Sequence, residues 1–338
     1  MKFNLVGISL LAISFTACSF SESKKDNQID PEIRNQIHVL NNRIVSGLVE
    51  DRADKVLAVC SDRLRDKRRD IKKLTDVLKG DLKMQNFRII SEYYQKNAAK
   101  KHVGEVSTDD NPSRDYRIKY EALNKEMYVV VADFEDSLYH KSFTFIYGKY
   151  GNVWKLNNLQ AGILKILNKD AFDWYQVAKS DYKKGDLIDA LCHIGLSTQL
   201  LNPANQLWKY KNEDEIQSFE QKITKQIYGK YKFPMTVNNV ETKPVIFRVY
   251  SQIMNTGCFP LIQYTTSVDL KDIPALSVEC REVHKNIGSL FKGIDTNNST
   301  ILYRPYKTIP TGTETTKPYG FMMKTQQVAS NKIASTKN

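Results

Sequence analysis

Two pairs of residues in this sequence have the types and spacing that chemistry can use. Cys280 and His284 lie one helical turn apart in IPALSVECREVHKNIGSL, a spacing that can ligate a metal or set a thiolate beside a base. Cys280 also falls on that segment's apolar stripe with Leu276, Val283, Ile287 and Leu290, and no further ligands cluster around it, so packing is its expected role. In EMYVVVADFE, Asp133 shares a strand face with Val129 and Val131. Turned into a pocket, that face would tune the carboxylate by burial and make Asp133 a general base, with Tyr128 or a neighbouring strand's tyrosine nearby. The competing expectation is an aspartate that ends a strand in solvent.

The remaining candidates are weaker. Cys258 and Cys280 fall in one small unit and can form a disulfide in an oxidising compartment, whereas Cys60 and Cys192 sit in helical patterns as small hydrophobes. The histidines at 38, 102, 140, 193 and 284 form no local ligand pair. The sequence holds no zinc-protease helix, phosphate-cradling glycine loop or nucleophile elbow. The expectation is therefore no catalytic residue, no cofactor and no metal.

The chain that must position these residues has 338 of them, 41% hydrophobic and 26% charged, enough for two or three packed domains. Its 50 basic and 38 acidic residues give a formal charge of +12, which favours anionic partners. The densest run, DRLRDKRRDIKK at 62–73, interleaves bases with Asp62, Asp66 and Asp70. Asp62 to Arg65, Asp66 to Arg69 and Asp70 to Lys73 are i,i+3 pairs, the pattern of a solvated helix face. No nucleic-acid-binding motif accompanies it, and nucleic acid is not an expected partner.

Residues 5–15, LVGISLLAISF, are uncharged and far shorter than the roughly 20 residues that span a bilayer. They read as the apolar core of a signal peptide covering 1–17. Phe15, Thr16, Ala17 and Cys18 resemble the lipobox of bacterial lipoproteins, with Phe15 where an aliphatic residue is usual. The resemblance implies that Cys18 takes a diacylglyceryl thioether, becomes the first residue and is acylated on its amine, which anchors the chain firmly. Ser19 comes next, rather than the Asp that resembles an inner-membrane retention signal in some bacteria. Outer-membrane residence is the expectation, with an ordinary secretory signal as the alternative. Residues 18–30 would be a lipidated, flexible tether.

From Pro31, Ile33, Ile37, Leu40, Ile44 and Leu48 make one helical stripe, and further helices are expected over Asp54–Leu64 and Asp70–Leu82. DYRIKYEA, EMYVVVADFE, SFTFIYGKY and VWKLNNL read as strands, with Gly151-Asn152 as a hairpin turn. Three helices before a strongly bent antiparallel meander of four or five strands is an α+β arrangement. With the closing VWKLNNLQAGIL, residues 31–166 resemble the nuclear-transport-factor-2-like superfamily, in which a curved sheet wraps a long helix into a cone. That superfamily includes enzymes, carriers and interaction domains, so the likeness implies fold and not function.

In the next region, 167–230, DWYQVAKSDYKKGDLIDALCHIGLSTQLLNP (173–203) resembles one tetratricopeptide repeat: Trp174, Val177 and Ala178 in the first helix, Gly185-Asp186 at the turn, Ala190 at the close-packed position and Pro203 at the end. It departs at Asp181, where an aromatic is usual, and at Ser197, where Ala is, and Pro203 falls one residue late. Gly185 is expected to end the first helix left-handed and Asp186 to cap the second. One repeat cannot cover its own apolar faces. A helix at 212–228, with Ile216, Phe219, Ile223 and Ile227, is the expected neighbour.

Residues 231–310 read as a small β-β-α-β unit: PVIFRVYSQIM, FPLIQYTTSV, a helix over Ile273–Phe291 and TILYRPY. Residues 311–338 would be a flexible tail. The functional expectation is a non-enzymatic envelope lipoprotein that binds a protein or an anionic envelope polymer. The alternative is a small-ligand carrier or enzyme that uses the cone. A deep enclosed cavity lined by Asp133 and tyrosines favours the alternative, and a filled core beside an open groove favours the first.

Overall fold

The computed structural model describes residues 22–78, 80, 82–311 and 319–325, and the chain is α+β. The signal segment, Cys18 and most of the C-terminal tail lie outside the described residues. Part of the expected tether is folded: β1 (Glu22–Lys25) pairs antiparallel with β2 (Phe87–Lys96), Glu22 opposite Lys96. Asp26 then accepts a hydrogen bond from the backbone N–H of Glu92 at 2.8 Å. A polar sequence without periodicity hides this strand, because an edge strand is held by backbone hydrogen bonds that need no apolar pattern.

Asp30 caps α1 (Pro31–Val49) through the N–H of Glu32, with Pro at the first helical position, where no N–H is needed. The second expected helix breaks into α2 (Ala53–Leu57) and α3 (Asp62–Arg65), followed by α4 (Arg68–Leu78). The break has a cause. Between α2 and α3 the chain turns to a strand partner, the N–H of Ser61 donating to the Leu156 carbonyl and that of Leu156 to the Val59 carbonyl, both at 2.8 Å.

β3 (His102–Ser107) and β4 (Tyr116–Ala122) leave the main sheet and pair with each other; β5 (Glu126–Phe134), β6 (Tyr139–Tyr150) and β7 (Val153–Ile166) return to it. The main sheet is antiparallel in the order β1-β2-β5-β6-β7. The DYRIKYEA strand is thus not part of the curved meander. It sits in a separate three-stranded sheet completed by β8 (Trp208–Tyr210).

Both faces of the main sheet are covered. Tyr128, Val130, Ala132 and Phe134 of β5 join the core beneath α1–α4 with Ile37, Ile44 and Leu48. Met127, Val129 and Val131 face the other core, which continues through the helical region into the C-terminal sheet. A strand buried on both faces explains why VVVA shows no polar alternation.

α5 (Ala171–Lys184) ends at Gly185, whose φ of +82° is the left-handed turn expected there, and α6 (Leu187–Gln199) returns against it. Two of the departures from the repeat pattern have local reasons. Asp181 pairs with His193 Nδ1 at 2.6 Å, and the Ser197 hydroxyl donates to the Ala171 carbonyl at 2.6 Å, tying the helices together. Asp186 does not cap α6. Its carboxylate accepts from Asn297 Nδ2 at 3.0 Å. α7 (Glu213–Tyr231) lays Ile216, Ile223 and Ile227 against the pair as expected.

The C-terminal unit holds β9 (Met235–Thr236), β10 (Val245–Met254), β11 (Gly257–Thr265), α8 (Ile273–Leu290), α9 (Ile294–Asn297) and β12 (Thr300–Tyr306). β11 and β12 are parallel and α8 makes the crossover. The tail expected to be flexible supplies β13 (Phe321–Lys324), antiparallel to β12.

Candidate binding cleft

A cavity of about 390 Å³ opens between α3–α4 on one side and β4 and β7 on the other. Its floor is a row of amides whose placement comes from one irregularity in β7. Ile146 of β6 pairs with Asn158 and Tyr147 with Leu156, so Asn157 is an extra residue, a β-bulge. A bulge breaks the alternation of faces, and here both Asn157 and Asn158 line the cleft. The consecutive Asn residues in VWKLNNLQ are its one sequence signal, and the strand pattern by itself predicts no bulge.

The amides are wired to one another. Asn157 Nδ2 donates to Asn124 Oδ1 at 3.0 Å, and the Tyr150 hydroxyl donates to Asn157 Oδ1 at 2.8 Å. Gln160 Nε2 donates to Asn158 Oδ1 at 2.7 Å, and Asn205 Nδ2 donates to Gln160 Oε1 at 2.7 Å. Among the described residues Asn158 Nδ2 and Asn205 Oδ1 have no partner, which leaves a donor and an acceptor at the cleft. Gly148 makes room for this row. A Cβ there would stand 2.0 Å from Asn124 Oδ1 and 2.4 Å from Asn157 Nδ2.

Arg63 and Lys67 overhang the amides, and Leu64, Ile71 and Leu74 give the helical wall an apolar strip. Arg63 Nη1 bonds Glu121 Oε2 at 2.6 Å, which ties the overhang to β4. Of the three i,i+3 pairs expected along this segment, Asp62–Arg65 forms at 3.5 Å. Among the described residues Lys67, Arg68, Arg69, Lys72 and Lys73 make no ion pair, and all are exposed. Asp66–Arg69, across the turn between α3 and α4, and Asp70–Lys73, within α4, form no ion pair among the described residues. The segment presents net positive charge beside the cleft instead of a self-neutralised face.

The pocket residues expected from sequence lie elsewhere and do not meet. Asp133 and Tyr128 are an odd number of residues apart on one regular strand, so they point to opposite faces of the sheet. Asp133 is completely buried, bonded through Oδ2 to Arg88 Nη2 and His140 Nδ1, each at 3.0 Å; its Oδ1 has no partner among the described residues. His140 Nε2 meets Asn168 Oδ1 at 2.8 Å. Neither Asp133 nor His140 lines a described cavity.

Tyr128 is on the α1 side, where its hydroxyl donates to Glu92 Oε1 at 3.0 Å. Glu92 does not stand out in the sequence, yet it centres a buried polar cluster: Arg34 Nε bonds Oε2 at 2.7 Å and His38 Nε2 meets Oε1 at 2.8 Å. Arg34 and His38, four apart on α1, share one helical face, and that spacing is the readable signal. Every carboxylate oxygen of Glu92 is used, so the cluster fastens α1 to the sheet.

Cys258 and Cys280 are free thiols and do not pair. Cys280 packs among Tyr264 and Tyr303, and burial pushes its thiol up to about 12, which excludes a resting thiolate. Cys258 lies at the far end of β11 from Tyr264, about 20 Å along a strand at roughly 3.3 Å per residue, with Ser251 and Cys192 as its neighbours. His284 Nδ1 meets the Tyr303 hydroxyl at 2.8 Å and not the Cys280 thiol. Among the described residues no group of His, Cys, Asp and Glu is placed to hold a metal, and no helix is long and apolar enough to cross a membrane. No family model, curated protein or solved structure matches the chain.

Proposed function

We propose that this chain is a lipoprotein of the bacterial cell envelope, anchored through Cys18, whose cleft binds a segment of an anionic, hydroxyl-rich envelope polymer. The observation that carries the reading is the amide row of Asn157, Asn158, Gln160 and Asn205 set under Arg63 and Lys67. Amides offer the paired donors and acceptors that vicinal hydroxyls need, and Lys67, with no ion pair among the described residues, can take an acid group beside the Arg63–Glu121 pair. The apolar strip suits the carbon faces of a sugar ring. A filled sheet core with Asp133 away from every described cavity, beside an open polar cleft, supports binding over a buried pocket reaction. Two measurements test the reading. Retention on an immobilised uronic-acid oligosaccharide should fall at least tenfold in Asn158→Ala/Gln160→Ala and weaken with salt. Equal retention by that variant defeats the cleft assignment, and an unmodified Cys18 in mass spectra of envelope material defeats the anchor.

A further inference from the structure

The folded β1 strand fixes which end of the body faces the anchor. Glu22 is the first described residue and pairs with Lys96, and three residues separate it from Cys18. Four backbone steps at no more than about 3.6 Å each reach about 14 Å. That is too short for the body to turn another side toward the bilayer. Across the same end of the main sheet, Lys96 lies opposite Glu126, and the β6–β7 hairpin closes between Tyr150 and Val153. The β2–β3 and β4–β5 turns are tied there by the Asn97 N–H to the Lys125 carbonyl at 2.7 Å and the Lys101 N–H to the Ala122 carbonyl at 2.6 Å.

Those contacts gather Lys96, Lys100, Lys101 and Lys125, all exposed and without an ion pair among the described residues. The acids at this end are already matched: Glu22 with Lys24 at 2.7 Å, Glu126 with Lys149 at 3.1 Å, and Glu121 with Arg63 at 2.6 Å. The lysines' charge is therefore not cancelled locally. The hairpin tip adds apolar surface, Tyr150 37% and Val153 58% exposed. Lysines around an exposed tyrosine and an aliphatic residue match the boundary between anionic headgroups and acyl chains.

We infer that this end of the sheet, with Lys96, Lys100, Lys101, Lys125, Tyr150 and Val153, docks on an anionic phospholipid surface and seats the body flush on the membrane. The orientation rests on the anchor reading, whereas the lipid affinity of the surface can be measured without it. The test uses the chain from residue 18 onward with Cys18→Ser, which keeps every described residue and lacks acyl chains. Vesicles of phosphatidylcholine alone are compared with vesicles containing about 30% phosphatidylglycerol, a mixture on the order of a bacterial anionic surface.

Binding should require the anionic lipid and fall at least tenfold in Lys96→Gln/Lys100→Gln/Lys101→Gln/Lys125→Gln. A Val153→Trp reporter should shift its emission to the blue on those vesicles. A control neutralising Arg69, Lys72 and Lys73 on α4 should bind within about twofold of the parent. Unchanged binding by the four-lysine variant, equal binding to neutral vesicles, an unshifted reporter, or loss confined to the α4 control would each overturn the docking surface. Mass spectrometry of Cys18 in the wild-type chain separates failure of the anchor from failure of the surface.

Discussion

Glu92 shows how much one buried carboxylate can organise. With Arg34, His38 and Tyr128 on its side-chain oxygens, removing a partner strands a charge in the core, at a typical cost of about 3–5 kcal/mol. Arg34→Leu should therefore lower the denaturation midpoint well below that of Arg43→Leu, a solvent-facing change on the same helix, as followed by circular dichroism. Gly148→Ala should cost about 1–3 kcal/mol, because the new methyl meets two hydrogen-bonded amides that have no room to separate. A thermal melt of that variant within a degree of the parent would contradict the packing described. His284 carries a pH effect of definite sign. Burial lowers its pKa, and its Nδ1 meets the Tyr303 hydroxyl at 2.8 Å, a bond in which the neutral ring can accept. The unfolded chain takes the proton first, so stability is full above about pH 6.5 and declines as the pH falls through that value toward the folded pKa. The drop in melting temperature between pH 7.5 and 5.5 should shrink in His284→Asn.

At the scale of elements, the long periodic helices and the alternating or continuous apolar strands are legible in the sequence, because burial of a side-chain face writes itself into the order of residues. β1 and β13 are not. Each is a four-residue edge strand, β1 polar throughout and β13 the FMMK beyond a Thr- and Lys-rich run, too short to show a period and joined through backbone groups that every residue carries. The breaks around Cys60 and at Asn157 are hidden for a related reason, since a bridge and a bulge are settled by how the chain meets its partner strand. The cleft is obscured accordingly: its helical wall and its amides are visible as residues, but only the bulge brings them to one surface. Alternation places Asp133 on the correct strand face; the cover over that face comes from residues far along the chain. The strand at 22–25 makes a direct prediction. Lys24 and Lys25 look like open trypsin sites, yet brief digestion of the folded protein should spare them, and early N-terminal clipping at Lys25 would show that β1 is not formed.

The whole molecule is organised around a sheet enclosed by the chain segments on either side of it in sequence. α1–α4 close one face, and α5, α6 and the C-terminal unit share the core on the other. Gly162 lets the end of the hairpin come this close, since a Cβ there would stand 2.3 Å from the Pro203 carbonyl oxygen. A chain ending at Ile166 should keep its α1–α4 face but expose Met127, Val129 and Val131, and so bind a hydrophobic dye and self-associate. A monomeric, dye-silent fragment would show that the second face does not need its cover. The same arrangement sets a timetable for biogenesis. As the polypeptide emerges from its N-terminus, the sheet can assemble once β7 is out, while its greasy underside stays bare until the later helices arrive. During that interval the nascent protein is a natural client for chaperones, and slowing synthesis after β7 would lengthen its need for them.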